Sequence, residues 1–231
     1  MIRYILTWVV TGVFAAVLIR QVRKPHKWLG RPFLWIMNQS HSKLTDWGLQ
    51  QVSINKDFKI LDVGCGGGRT IQKLASITGE GLVCGVDYAS GSVAVSRRKN
   101  AELIKRGLVE VQEASVSRLP FADCSFDLAT AVETQYYWPD LVNDMKEVRR
   151  VLKPGGRLLV IAETYKGGRL DPLKAPVMKL LKSTHLSADD QRELFTAAGY
   201  DDVQISEEKK RGWICATGRR SADTFEVTGS R

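Results

Sequence analysis

Apolar and polar residues follow two different periods along the middle of this 231-residue chain. Lys59-Ile60-Leu61-Asp62-Val63 alternates and reads as a strand, and Leu82-Val83-Cys84-Gly85-Val86-Asp87 reads as a second, buried one. Between them, Arg69 to Thr78 places Ile71, Leu74 and Ala75 at helical spacing, and Gly79 and Gly81 break the run. Ser90 to Arg106 predicts one longer helix, with Ser90 as its cap and Gly107 at its end. Leu108 to Glu113, Ser125 to Val132 and Arg157 to Glu163 predict three more strands. Asp140 to Leu152 predicts a helix stopped by Lys153-Pro154-Gly155-Gly156. Four strand–helix alternations imply right-handed crossovers and a parallel sheet. A last helix opens at Leu186-Ser187, with Ser187 and Asp190 set as a capping box and Gly199 at its end. Asp202 to Ser206 and Gly212 to Gly218 then read as two strands.

The flanks are less regular. Leu44, Trp47 and Val52 recur at near-helical spacing, so a helix begins close to them. Tyr165 to His185 shows no clean period, and Val177 to Leu181 is a short apolar patch within it. An irregular segment of that length is more often functional than idle. Tyr4 to Ile19 carries no charge. As a helix it would cover about 24 Å against a hydrocarbon core of about 30 Å, so it is short for a span. Arg3 and Arg20 could snorkel and Trp8 could anchor it. A cleaved signal peptide and a helix packed on its own domain are the competing readings.

Charge changes the picture of that flank. The net charge is +9, of which residues 1–57 carry +6, residues 58–163 carry +1 and residues 164–231 carry +2. The middle of the chain is therefore nearly neutral, which argues against a nucleic-acid partner. The surplus gathers at Arg20, Arg23, Lys24, Lys27 and Arg31, beside the uncharged run. That points to an anionic membrane surface and, by the positive-inside rule, to a membrane-associated protein with its main domain in the cytoplasm. A merely solvated basic linker is the plainer alternative. The four cysteines, Cys65, Cys84, Cys124 and Cys215, form no C-x-x-C pair, which suits a reducing compartment. The three histidines have no metal-ligand spacing, so no metal is expected.

The chemistry concentrates at Gly64-Cys65-Gly66-Gly67-Gly68, between the first strand and its helix. Glycines there let a ligand approach the backbone, and the helix behind them offers unpaired N–H groups. A nicotinamide-type G-x-G-x-x-G is not met, because Arg69 stands at the third glycine's place. Asp62 just before the loop would repel a pyrophosphate and suits a ligand with a positive amino group. Asp87, ending the second strand, suits a ribose diol.

This Asp-x-Gly-x-Gly-x-Gly run with its following acid resembles the class I S-adenosylmethionine-dependent methyltransferases. The Arg150 to Gly156 turn resembles that family's turn before its fifth strand. The resemblance covers about residues 55–218. It implies an α/β fold: a Rossmann-like, seven-stranded, mostly parallel sheet with helices on both faces and one antiparallel strand. It implies S-adenosylmethionine as cofactor, with Asp62 toward the amino group and Gly64, Cys65 and Gly66 along the methionine and ribose. Asp87 would take the ribose hydroxyls, Tyr88 would flank the adenine, and Ser115 and Val116 would meet its edge. An acid is usual at the place of Ser115, so adenine selectivity is in question.

Glu133, Tyr136, Tyr137 and Trp138 follow the fourth strand, where the family commonly faces the transferring methyl. Glu133 and Tyr137 are the catalytic candidates, and Glu133 could instead bind the cofactor's amino group. Tyr136, Trp138, Tyr165 and His41 are candidate acceptor contacts, with Trp47 beside His41. Packing is the alternative for the aromatics. The expected division is a hydrophobic helix with its basic flank (1–24), a linker and lid-like helix (25–54), a methyltransferase domain (55–218) and a disordered tail (219–231). The expected acceptor is small or lipid-like. An RNA or protein methyltransferase and a non-catalytic cofactor-binding protein are the alternatives.

Overall fold

A computed structural model describes residues 42–180 and 183–221. The uncharged Tyr4 to Ile19 run, the basic cluster after it, His41 and most of the polar tail lie outside the described residues. Among the described residues, no helix is long and apolar enough to cross a membrane.

The sheet has seven strands: β1 (Lys59–Val63), β2 (Leu82–Asp87), β3 (Val109–Glu113), β4 (Phe126–Val132), β5 (Leu152–Ala162), β6 (Tyr200–Glu208) and β7 (Trp213–Arg220). Their order across the sheet is β3-β2-β1-β4-β5-β7-β6. All neighbours from β3 to β5 are parallel, and β7 runs against both β5 and β6. The expected single reversed strand is therefore β7.

The helices are α1 (Ser42–Leu49), α2 (Arg69–Thr78), α3 (Ser90–Lys99), α4 (Ala101–Lys105), α5 (Leu141–Val151), α6 (Asp171–Leu180) and α7 (Ala188–Ala197). Strand parity sorts the core. Ile60, Val83, Leu128, Leu159 and Ile161 meet Leu44, Ile71 and Leu74 on one face. Leu61, Val63, Val86, Ala129 and Leu158 meet Met145, Val148 and Phe195 on the other. Central strands covered on both faces read as continuous apolar runs, which is the pattern of Leu82 to Val86 in β2, whereas β1 is interrupted by the buried Asp62.

Three expectations change in detail. The Ser90 to Arg106 helix breaks at Asn100, whose side-chain amide donates to Gly68 O and Ser96 O, both at 3.0 Å. Ser90 is not its cap: the N-cap is Ala89, whose N–H is bound by the Asp87 carboxylate at 2.8 Å. The fifth strand starts at Leu152, which pairs with Phe126 before Lys153 to Gly156 loop out and pairing resumes at Leu128 and Arg157. Lys153 Nζ there reaches both oxygens of Asp127, at 2.8 and 2.9 Å. Arg220, buried, donates to the carbonyls of Arg149, Arg150 and Leu152 and so satisfies the end of α5.

The segment after β5 also differs. It holds α6, with Pro176 inside the helix. The capping box at Ser187 and Asp190 is as expected.

Candidate active site

In an open parallel sheet, ligands bind beyond the carboxyl ends of the strands where strand order reverses. Here the chain winds outward both ways from β1 and β4, and those two strands are neighbours. The glycine loop leaves β1 at that point. Gly64 N–H and Cys65 N–H both donate to Val86 O, at 2.8 and 2.9 Å, which folds the loop back over β2. Gly66 has φ +51, and a Cβ there would meet nothing within 4 Å, so the loop faces open space. Gly68 has φ +76, and a Cβ would sit 2.3 Å from Ser96 Oγ, so that glycine lets α2 and α3 approach each other.

Two carboxylates bracket this loop. Asp62 is buried in β1; its Oδ1 accepts from Thr130 Oγ1 at 2.8 Å. Its Oδ2 has no hydrogen-bond partner among the described residues. Burial, against the relief given by Thr130 and helped by the nearby Asp87 charge, pushes the Asp62 carboxyl up to about 7. A buried acceptor with one open oxygen fits an ammonium group or a water that carries it. Asp87 ends β2, with Oδ2 accepting from Gly66 N–H at 2.9 Å and Oδ1 from Ala89 N–H at 2.8 Å. Burial pushes its carboxyl up, and those two N–H groups pull it back. The Ser92 hydroxyl is a third partner that also favours the carboxylate, and a carboxylate at this strand end suits a ribose hydroxyl. Tyr88 follows it and is exposed.

Other expected cofactor contacts take varied positions. The Cys65 side chain turns into the core, where its thiol is 3.9 Å from Ser96 Oγ, so only its backbone borders the loop. Burial pushes that thiol up, which leaves it unsuited to nucleophilic chemistry. Ser115 is exposed, and its hydroxyl accepts from Ser117 N–H at 3.2 Å. The Val116 side chain is buried in the core.

Glu133 follows β4 with φ +58, a backbone state that non-glycine residues adopt rarely and often at functional sites. Its Oε1 accepts from Tyr136 Oη at 2.7 Å and from the backbone N–H of Glu163. Burial first, and then the charge of Glu163, push the Glu133 carboxyl up to about 8. Glu163 in turn pairs with Lys174 of α6, Oε1 to Nζ at 2.5 Å. Burial and the Glu133 charge likewise push the Tyr136 phenol up. Tyr137 packs edge-on against Tyr136, with ring centres 5.9 Å apart.

Not every aromatic reaches this cluster by an open face. Trp138 is buried in the core, and its indole N–H donates to Thr134 Oγ1 at 3.0 Å. It thereby supports Thr134, whose side chain fills the space beside Gly64. Tyr165 is buried with Ala162 and Ile214, and Tyr136 packs against that group. Burial and a hydrogen bond to Glu207 push its phenol up to about 12. Trp47 packs against Trp213 at 5.9 Å, which is the core alternative for that residue.

Sequence reasoning missed Thr130, Thr134, Glu163 and Lys174. Glu163 had a signal, because it follows the end of β5, next to β4 at the same edge of the sheet. Lys174 had none, because the helix that carries it was not expected.

A doubly wound sheet with a glycine loop between two carboxylates defines a nucleoside-binding domain of the methyltransferase kind. Residues 61–160 match the family model of the methyltransferase domain. The match covers less than half of the chain; the cofactor of that family is S-adenosylmethionine, and the open oxygen of Asp62 and the open face of Gly66 fit that group.

An O-methyltransferase of Penicillium expansum is 33% identical over 172 residues, covering 74% of this chain and 59% of that enzyme. A sterol 4-C-methyltransferase of Caenorhabditis elegans is 31% identical over 111 residues, covering 48% and 33%. This chain thus spans less than two thirds of the length of such relatives. The structure resembles a putative methyltransferase of Haloferax volcanii solved in complex with the Trm112 activator, with a TM-score of 0.73 at 19% identity, covering 84% and 96% of the two chains.

Proposed function

We propose that this chain is an S-adenosylmethionine-dependent methyltransferase that acts at the cytoplasmic face of a membrane on a small or lipid-like acceptor. The observation that carries the reading is the meeting of three strand ends. They bring the unpartnered Asp62 Oδ2 and the Asp87 carboxylate to one open glycine loop, with Glu133 at the end of the neighbouring strand, where the next residue, Thr134, packs against Gly64.

S-adenosylmethionine supplies an electrophilic methyl on its sulfonium. Asp62 and Asp87 hold the two ends of such a ligand, and positioning of this kind does most of the work in an in-line displacement. Glu133 lies beyond them with Tyr136 bonded to it, placed to take a proton from an acceptor hydroxyl or amine. Burial and the Glu163 charge bring its basicity near working pH, which is where a general base is most effective.

The acceptor class rests on three supports. The middle of the chain is nearly neutral, whereas a nucleic-acid enzyme carries basic surface. The uncharged run and basic cluster near the N-terminus suit a bilayer. One relative is a methyltransferase of sterols.

The test is incubation of the full chain with methyl-labelled cofactor and a membrane lipid extract. The expected outcome is S-adenosylhomocysteine formation with label in the organic phase, and sedimentation of the chain with membranes. Label in RNA or protein instead would overturn the acceptor class. Recovery of the chain in the high-speed supernatant without detergent would overturn the membrane reading.

A further inference from the structure

Among the described residues, five large apolar side chains are exposed, and three of them sit on α6: Leu173 at 73%, Val177 at 51% and Leu180 at 64%. Their spacing is i, i+4 and i+7, so they share one face. Pro172 and Pro176 are exposed as well. At about 100° per residue, these five positions form one apolar arc of roughly 140°, with exposed Lys179 at its edge. The opposite side holds buried Met178 and half-buried Lys174 and Ala175. The helix is thus amphipathic in the reverse of the usual sense, since its apolar arc faces away from the domain.

The charge along this segment of the sequence is one-sided. Residues 166–182 include five basic residues, Lys166, Arg169, Lys174, Lys179 and Lys182, and the single acid Asp171. Asp171 is turned back on the chain, where its Oδ2 accepts from Gly167 N–H at 2.7 Å. An apolar arc with a lysine at its edge, in a segment of basic surplus, suits a helix lying in the interface of an anionic bilayer, apolar face inward and cations at the headgroups. A protein partner would need matching acids, whereas an anionic bilayer supplies the charge and the apolar layer together.

We propose that the outer face of α6 seats on an anionic bilayer surface. This rests on the membrane-face reading above and adds a second contact to it, separate from the N-terminal segment. Its position gives the contact a use. Lys174, on the inner side of the same helix, pairs with Glu163, whose backbone N–H is bound by Glu133. Seating α6 therefore sets the acceptor side of the site against the bilayer, where an apolar acceptor can enter without crossing water.

The experiment uses the full chain with Cys124→Ser, which removes the exposed thiol among the described residues and leaves three buried ones. Cysteine is then placed singly at Leu173, Val177 or Leu180 and spin-labelled, with retained cofactor binding as the check on folding. Collisions with oxygen and with a water-soluble nickel chelate are compared on phosphatidylcholine vesicles with and without phosphatidylserine. The expected result is that the oxygen-to-nickel ratio rises roughly fivefold at all three positions, as for a face immersed by about 5–10 Å, and does so on the anionic vesicles.

A chain that binds vesicles while all three labels stay accessible to nickel overturns the seating of α6 and leaves the membrane reading standing. A chain that does not bind vesicles at all overturns both. Labels shielded without vesicles also overturn the seating: shielding that grows with protein concentration assigns the face to a second copy, and shielding independent of it assigns the face to another part of this chain.

Discussion

Asp87→Ala is expected to weaken S-adenosylmethionine binding at least a hundredfold while the fold survives. Two hydroxyl hydrogen bonds to a carboxylate are each worth roughly 1.5–3 kcal/mol, and about 1.4 kcal/mol is tenfold in affinity. The same carboxylate also holds Gly66 N–H and Ala89 N–H, so the substitution loosens the loop as well. A cofactor analogue lacking one ribose hydroxyl separates the two effects. The native chain should bind the analogue less tightly than the cofactor, and the variant should bind both alike. Calorimetry that shows unchanged affinity in Asp87→Ala would remove Asp87 from the site.

Glu133→Gln is expected to lower turnover on the true acceptor by about 10²–10⁴-fold, the usual contribution of a general base, with a smaller change in cofactor affinity. The substitution keeps the shape and removes the charge. It also has a pH signature. The Glu133 carboxyl is pushed up to about 8, so the base form gains population as pH rises to that value. Turnover of the native enzyme should climb with pH, reach half its maximum near 8 and level above it, and the variant should lack that rise. Cofactor binding lost in parallel with turnover would make Glu133 a binding residue. Full activity in the variant would exclude it from the chemistry.

The sheet was legible in the sequence because its central strands are buried on both faces. That burial leaves runs such as Leu82 to Val86 unbroken by charge. The glycine loop and its flanking acids were legible because spacing and side-chain chemistry agree there. The break at Asn100 was not, since it arises from a contact with Gly68 across 32 residues. The helix α6 was not legible either. Its outward arc is apolar and Pro176 stands inside it, so neither a helical period nor a clean boundary shows. Lys174 was lost with that helix. For Trp138 and Tyr165 the sequence leaves acceptor contact and packing both open, and the structure shows both side chains buried, Trp138 bonded to Thr134 and Tyr165 packed with Tyr136.

The central claim is that Asp62, Asp87 and the glycine loop form an S-adenosylmethionine site, and a calorimetric titration of that cofactor into the full chain tests it most directly. Burial holds the Asp62 carboxyl up near 7, and a cationic amino group at its open oxygen favours the carboxylate. Binding should therefore be saturable and one-to-one, tighter at pH 8 than at pH 6, and accompanied by proton release when buffers of different ionisation enthalpy are compared. S-adenosylhomocysteine should compete for the same site, and a dinucleotide should not. A flat titration, or displacement by a dinucleotide as readily as by S-adenosylhomocysteine, would contradict the account.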